Sequence, residues 1–440
     1  MKSMHCSRRQ FIRAGTIATA AAPFILPSHV WSAATPPNDR LTLGFIGVGT
    51  QGRGLLGGFL GRRETQTIAV CDVDTNRRNA AKKQVEDFYA KQNAAGYRGC
   101  EAYNDFRQLL ERRDIDAVVI ATPDHWHAVI GMAAARARKD IYCEKPLTQS
   151  IHEARELVDA VRKYKRVFQT GSMQRSSPEF RVACELVRNG VAGDIKSVEV
   201  SIGGPGVPCD LPAETAEPGL DWSLWLGPAP MRPYHSELSP RGVHKHFPNW
   251  RKYREYGGGM VTDWGAHHFD IMQWGLGMDN SGPIEILPAQ DRKASEGVRL
   301  TYASGTEVIH KNSGFGVSFL GTNGKVLVNR GKFELWLGEQ QKASSTKDVA
   351  AIEKEFLENA RVKLHKSTDH KGDWLSAIRT RGLPICDVEI GARSVTVCHL
   401  VNLAYYHGER MKWDPARNRF TDRTGNKDWL DVPHRRPWRV

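Results

Sequence analysis

The sequence predicts an α/β protein: a parallel, doubly wound domain followed by a domain of the α+β kind in which short strands dominate. Three observations predict it. Apolar, strand-like runs alternate with helical segments from Leu41 to Gly171, the pattern of a parallel sheet covered by helices on both faces. Gly47, Gly49 and Gly52 form G-x-G-x-x-G at the end of the first run, where a tight turn feeds a helix N-terminus. From Ile195 onward the pattern changes to short strands with turns.

Ahead of both domains, residues 1–34 read as an export signal. Arg8 and Arg9 precede Phe11 and Ile12, a weakly apolar run follows from Ala14 to Leu26, and Ser32, Ala33 and Ala34 supply small residues for cleavage. Paired arginines before Phe-Ile point to the twin-arginine export machinery, which moves folded proteins, and hence to the periplasm. The run contains Gly15, Thr16, Thr19 and Pro23 and is shorter than the ~20 residues of a spanning helix. The processed protein is therefore expected to have no membrane segment.

After Pro36-Pro37, LTLGFIGVG is a buried strand running into the glycine turn, and Arg53 to Leu60 continues as a helix. Glycine there lets the backbone approach a pyrophosphate, whose charge sits at the helix N-terminus. TIAVCD is a second strand ending at Asp72, about where an acidic residue takes a ribose 2′-OH. A carboxylate at that place repels a 2′-phosphate, which favours NAD over NADP. Asp74 either shares the role or caps the next helix. Helices over Asn76–Gln92, Asn104–Glu111, His127–Ala137 and Ser150–Lys163 alternate with the strands DAVVIATP, DIYCEKP and RVFQTG. Ligands bind such sheets at the carboxyl ends of strands. The polar residues there are Asp72, Thr122-Pro123-Asp124-His125, Glu144-Lys145-Pro146 and Gln174-Arg175. Lys145 stands out, because a cation facing the nicotinamide steadies an alkoxide as hydride leaves.

In the second part, SVEVSIGG, VRLTYASG, TEVIHKN and GVSFLGTNGKVLVNRG read as sheet, the last with an Asn-Gly hairpin at Asn323-Gly324. Gly257 to Gly259 give a flexible approach to a helix over Val261–Trp274. On it Asp263, His267, Asp270 and Trp274 form one stripe. Asp263, one turn before His267, is placed to orient the imidazole and favour its charged form, which suits a general base. The aromatic set Trp222, Trp225, Trp250, Tyr253, Tyr256 and Trp264 is dense for a loop region, and part of it is expected to line a sugar cleft. Arg251 is a further candidate contact.

GVGTQG, AVCDVD, ATPDHWH and CEKPL, in this order and at these spacings, resemble the Gfo/Idh/MocA family, which includes glucose–fructose oxidoreductase and inositol 2-dehydrogenase. The resemblance covers essentially the whole chain after the signal. It implies a Rossmann domain over 39–170 and a substrate and oligomerisation domain over 171–440, built on a large open, mostly antiparallel sheet. D-x-G-x-H in that family supplies an acid/base pair, matched here by Asp263, Gly265 and His267. The resemblance thus implies His267 as base, Asp263 as its orienting partner and Lys145 as the contact to the substrate hydroxyl. The cofactor-binding set is Gly47, Gly49, Gly52, Asp72, Thr122, Pro123, His127, Glu144 and Lys145. The substrate-binding set is Gln174, Arg175, Trp250, Arg251 and Trp264. A homo-oligomer joined through the open sheet is expected.

Composition excludes little but points one way. The formal charge of +13 becomes +9 once Lys2, Arg8, Arg9 and Arg13 leave with the signal. It is spread along the chain, and the cluster His434 to Arg439 reads as a solvated basic tail rather than a nucleic-acid site. His244 and His246 lack the fixed geometry of a metal site, so no metal is expected. Cys386 and Cys398 leave a pairing open. The expected function is oxidation of a secondary hydroxyl of a sugar, sugar derivative or cyclitol by hydride transfer to NAD. Two alternatives stand beside it: a glycosidase, lyase or epimerase in which the hydride returns, and a periplasmic sugar-binding protein that keeps NAD as a structural ligand. Export of a folded protein favours a cofactor inserted beforehand and tightly held.

Overall fold

The computed structural model describes residues 39–92 and 97–438. The export signal expected over 1–34 lies outside them. Six parallel strands open the fold: β1 (Leu41–Ile46), β2 (Thr65–Cys71), β3 (Glu101–Tyr103), β4 (Ala117–Ile120), β5 (Asp140–Cys143) and β6 (Phe168–Thr170). Their order is β3-β2-β1-β4-β5-β6, so the strand order reverses between β1 and β4, where a crevice opens. Only the three-residue edge strand β3 has no counterpart in the sequence expectation.

Alternation along β1 explains the layers. Leu43 and Phe45 are buried on one face with Leu55, Phe59 and Trp374, while Ile46 joins Val118, Leu157 and Phe168 on the other. Each such side chain contributes about 1.5–3 kcal/mol by leaving water. Trp374 comes from the helix His370–Thr380, so a segment late in the chain completes the first core.

The second sheet has ten strands: β7 (Ile195–Ser201), β8 (Glu285–Leu287), β9 (Arg299–Thr301), β10 (Glu307–Lys311), β11 (Gly316–Gly321), β12 (Gly324–Asn329), β13 (Lys332–Leu337), β14 (Gln340–Ala343), β15 (Met411–Asp414) and β16 (Arg419–Thr421). Their order is β14-β13-β12-β11-β7-β10-β9-β8-β15-β16. Its described pairings are antiparallel except the parallel pair β7–β10. β11 and β12 do form a hairpin. Neither Asn323 nor Gly324 has positive φ, however, so the primed turn that Asn-Gly signals is not used.

The 20-residue helix Val388–His407 ties the halves together. Val388, Ala392 and Val395 are buried in the first domain's core, and Val397, Leu400, Val401 and Ala404 in the second's. No described helix is long and apolar enough to cross a membrane.

The C-terminal cluster is not simply solvated. Trp438 packs edge-on against Trp126 with ring centroids 4.8 Å apart, and the Arg435 guanidinium donates to Gly227 O at 2.9 Å. Cys386 and Cys398 are separate, buried thiols.

Candidate active site

Two chambers meet at the carboxyl ends of the parallel strands. The first, about 840 Å³, is lined by Gly47, Gly49, Asp72, Thr122 and Pro123 from the parallel domain. Leu224, Trp225, Leu238, His244 and Phe247, from the excursion between β7 and β8, cover it. Gly47 adopts φ +82°, and a Cβ there would lie 2.6 Å from the Thr122 nitrogen, so only glycine fits. Gly49 has open space where a side chain would stand, which leaves its backbone accessible to a phosphate. Gly52 packs the helix against the turn and does not line the chamber. Asp72 accepts from the Val48 N–H at 2.9 Å and the Asp74 N–H at 3.0 Å. Asp74 caps the next helix, accepting from the N–H groups of Asn76 and Arg77. This cradle fits a dinucleotide: backbone for phosphates, a carboxylate for a ribose.

The second chamber, about 1030 Å³, shares Gln51, Ala121, Thr122, Phe247, Trp250 and Arg251 with the first. It continues to Asp124, Glu144, Lys145, Asp263, Trp264, His267 and Arg330. Lys145 follows β5, and its ammonium donates to Asp263 Oδ1 at 2.5 Å and to the Asp263 carbonyl at 2.9 Å. Burial works to raise the Asp263 carboxyl, but Lys145, Arg251 and Arg330 outweigh it and hold it below the usual carboxylate range.

This pairing corrects the expected dyad. Asp263 belongs to the short helix Met260–Asp263, and His267 to the next, Gly265–Leu276. The two meet at Trp264, whose carbonyl accepts from the His267 N–H in a tightened i→i+3 turn. Asp263 makes no hydrogen bond to the imidazole. His267 is 5% exposed, and its Nδ1 is buried without a hydrogen-bond partner. Burial first, then Lys145 and Arg330, push its pKa well below the ordinary histidine value. His267 is thus a neutral base rather than a charged one, with Nε2 as the nitrogen turned to the chamber it lines. Nor are Gly257 to Gly259 a flexible approach: Gly259, at φ +70°, pairs with Pro205, where a Cβ would lie 2.4 Å from the Pro205 carbonyl carbon.

Other expected contacts fall elsewhere. His127 is buried, with Nδ1 2.8 Å from Pro146 O and Nε2 2.9 Å from Thr122 O. Burial pushes its pKa down to about 4, so the neutral ring donates to one of these carbonyls and lies against the other; His127 braces the walls and lines neither chamber. Glu144 lines the substrate chamber, accepting from Gln51 Nε2 at 2.9 Å. Lys145 likewise lines that chamber and not the nucleotide one.

Arg175 is not a substrate contact. Its side chain is 1% exposed and grips Asp270 at 2.7 and 2.9 Å and Asp279 at 2.7 and 3.1 Å. The stripe residue Asp270 is therefore committed to a buried ion pair. Gln174 is buried behind the site; only with its amide turned so that each end faces a complementary partner does it donate to His267 O at 3.3 Å and accept from Arg330 Nε at 3.1 Å.

Trp250, Arg251 and Trp264 do line the chamber. Trp225, Trp250, Tyr253 and Tyr256 also form a small core of their own, which stiffens the cover. The His244 and His246 carbonyls accept from Thr50 Oγ1. Among the described residues no cluster of three His, Cys, Asp or Glu side chains is placed to hold a metal.

Two residues gain weight from the structure. Asp124 is 4% exposed, lines the chamber and, among the described residues, has no hydrogen-bond partner for its carboxyl. Burial, helped by Asp263 and Glu144, pushes its pKa well up against the pull of Arg251 and Lys145. Its strand-end position was the only sequence signal. Arg330, at the β12–β13 turn, carried none, because a hairpin tip is placed over a distant site only by tertiary structure.

A nucleotide cradle made of backbone, opening onto a chamber with a lysine–aspartate pair and a neutral histidine, separates cofactor binding from proton chemistry. That division is the one a nicotinamide-dependent oxidoreductase requires. The chain belongs to the Gfo/Idh/MocA oxidoreductase family: residues 41–172 match its "NAD-binding Rossmann fold" and residues 208–440 its "C-terminal alpha/beta domain".

Among curated proteins it is similar to a glycosyl hydrolase family 109 protein of Shewanella sp. strain ANA-3, 30% identical over 178 residues. That match covers 40% of this chain and 38% of the relative, so it spans little more than a third of that protein's length. The fold is shared with the WlbA dehydrogenase of Chromobacterium violaceum, solved with NADH and UDP-GlcNAcA (TM-score 0.62, 15% identity, 89% of this chain and 99% of that one). It is also shared with an aldose–aldose oxidoreductase of Caulobacter crescentus (TM-score 0.58, 17% identity, 85% and 99%).

Proposed function

We propose that this chain is an exported, NAD-dependent oxidoreductase acting on a secondary hydroxyl of a sugar, sugar derivative or cyclitol. The observation that carries the reading is the shared wall of the two chambers, Gln51, Ala121, Thr122, Trp250 and Arg251. It puts the end of the nucleotide cradle beside Lys145 and His267. The nicotinamide, when bound, supplies the acceptor for the substrate's hydride. Lys145 holds the hydroxyl oxygen and stabilises the negative charge that grows there. His267, kept neutral by burial, takes the hydroxyl proton. Asp263 anchors the Lys145 ammonium, and Trp250 and Trp264 wall the chamber with their rings stacked under Arg251 and Arg330. Solved relatives of this fold that bind UDP-GlcNAcA with NADH, or that carry out aldose–aldose oxidoreduction, support a carbohydrate substrate.

A second reading, in which the hydride returns to the same substrate, has two observations in its favour. The nucleotide cradle is covered by a packed aromatic segment, which favours retention of the cofactor. Asp124 adds a buried carboxyl with a raised pKa, a proton donor that a simple alcohol oxidation does not need. Similarity to glycosyl hydrolase family 109 proteins supports the same idea. The experiment is to purify the protein natively, release and weigh any bound nucleotide, then screen sugars and glycosides for absorbance at the reduced-nicotinamide band. Accumulating NADH indicates net oxidation; stoichiometric retained NAD with substrate conversion and no NADH release indicates hydride return. No change with any sugar, in either assay, contradicts both.

Export rests on Arg8 and Arg9: replacing both with lysine should leave the protein in the cytoplasmic fraction. Association of copies through the second sheet is supported by its outer face, where Ile309, Leu320, Leu327 and Trp336 are only partly covered. A monomeric mass in solution would contradict it.

A further inference from the structure

The substrate chamber carries three cations, and they are not equally neutralised. The charge of Lys145 is matched by Asp263, which leaves the third ammonium N–H for a substrate oxygen. Arg251 lies 3.8 Å from the same carboxylate, donates to Pro248 O at 3.2 Å, and sits over the Trp250 ring at 4.2 Å. Arg330 has no carboxylate within 4 Å among the described residues, although it lines the chamber.

Three carboxyls, Asp124, Glu144 and Asp263, share the chamber with these cations. Asp263 is held below the usual carboxylate range, whereas burial pushes Asp124 and Glu144 up. Of the three acids, only Asp263 is driven towards its charged form.

Arg330 is also held in place. It sits in the two-residue turn Arg330-Gly331 joining β12 and β13, whose strands pair Asn329 with Lys332. Its N–H donates to Asn329 Oδ1 at 2.8 Å. Its guanidinium lies over the Trp264 ring at 4.8 Å, and its Nε donates to the Gln174 amide oxygen, whose nitrogen reaches the His267 carbonyl. One end of the fork is thus fixed beside the base, and among the described residues the two terminal nitrogens have no hydrogen-bond partner. A stacked, pre-oriented guanidinium edge matches a planar anion through paired hydrogen bonds.

We infer that Arg330 binds a carboxylate on the substrate, so that the proposed activity is directed at acidic sugars of the uronic-acid class. A carboxylate is favoured over a phosphate because a single guanidinium, with no carboxylate within 4 Å among the described residues, answers one negative charge. This assignment rests on the proposed carbohydrate oxidoreductase function but adds a substrate class to it.

The test uses the full, NAD-loaded protein with matched probes: glucose and galactose, their uronic acids, and their 6-phosphates. Turnover is read at the reduced-nicotinamide band and binding by calorimetry. The uronic acids should exceed their neutral counterparts in kcat/KM by roughly 10–100-fold, the scale of a hydrogen bond to a charged group. R330Q should bring that ratio close to one, and R330K should leave an intermediate preference, since it keeps the charge and loses the fork. Unchanged melting temperatures of both variants would show that the turn is intact.

A native preference for neutral sugars, or for the 6-phosphates, overturns the assignment while leaving the oxidoreductase reading standing. So does a preference for uronic acids that survives R330Q. Uronic-acid binding that disappears in R330Q, without turnover of any sugar, supports the carboxylate site and overturns the oxidoreductase reading. Absence of both binding and turnover with every probe overturns the assignment as well.

Discussion

The two ends of the cleft are built on opposite principles. At the nucleotide end, one turn between β1 and its helix, with Asp72 after β2, supplies the cradle from a stretch of fewer than thirty residues, mostly through backbone. At the substrate end, Lys145, Trp250, Asp263, His267 and Arg330 arrive from separate segments of both domains, and charge does the chemistry. Phosphate binding asks only for exposed N–H groups and room for close approach. Proton transfer asks for pKa values that no local sequence can set, because burial and distant charges fix them.

The largest effect that sharpens this contrast is on stability. Arg175→Ala leaves the buried Asp270 and the partly exposed Asp279 without their cation, which should cost about 3–5 kcal/mol in denaturant unfolding. A loss of sugar affinity with little loss of stability would instead return Arg175 to the substrate site. Next comes Lys145→Ala. Turnover should fall about 10²–10³-fold with the NAD content per protein unchanged; parallel loss of nucleotide would mean that the two ends are not separable. Gly47→Ala should do the converse. The strained φ adds about 1–3 kcal/mol, and the Cβ contact at Thr122 should empty the cradle, seen as loss of co-purified nucleotide.

The smallest effect is in the pH profile. A base works only while unprotonated, and the pKa of His267 lies well below its ordinary value of about 6.5. On acidification, kcat/KM should therefore stay level through pH 6.5 and fall only further down, as His267 takes up its proton. An acid limb centred near 6.5 would show an ordinary, solvated histidine.

The same contrast explains what could be read from sequence. The parallel domain was legible because strand runs, the glycine turn and Asp72 are all local features. The positions of Lys145, Trp250, Arg251 and Trp264 at the site were legible from motifs and composition. The partnership of Asp263 was not, because helical spacing assumes one straight helix and the chain tightens at Trp264. Arg175 and His127 looked functional as polar residues near strand ends, but Arg175 grips Asp270 and Asp279 and His127 is wedged between two backbone carbonyls. Arg330 had no signal at all, since only the folding of β12 and β13 brings it over Trp264 and into the chamber.

The central claim is that a sugar gives its hydride across the wall shared by the two chambers. Sugars deuterated at successive ring carbons, mixed with the NAD-loaded protein and quenched within a single turnover, test it directly through the mass of the released nicotinamide. The account predicts that one ring position delivers its label to the cofactor, and that His267→Ala slows the delivery by about 10²–10⁴-fold. If no position of any sugar in the panel labels the cofactor, or if the His267 variant labels it at the native rate, the account is contradicted.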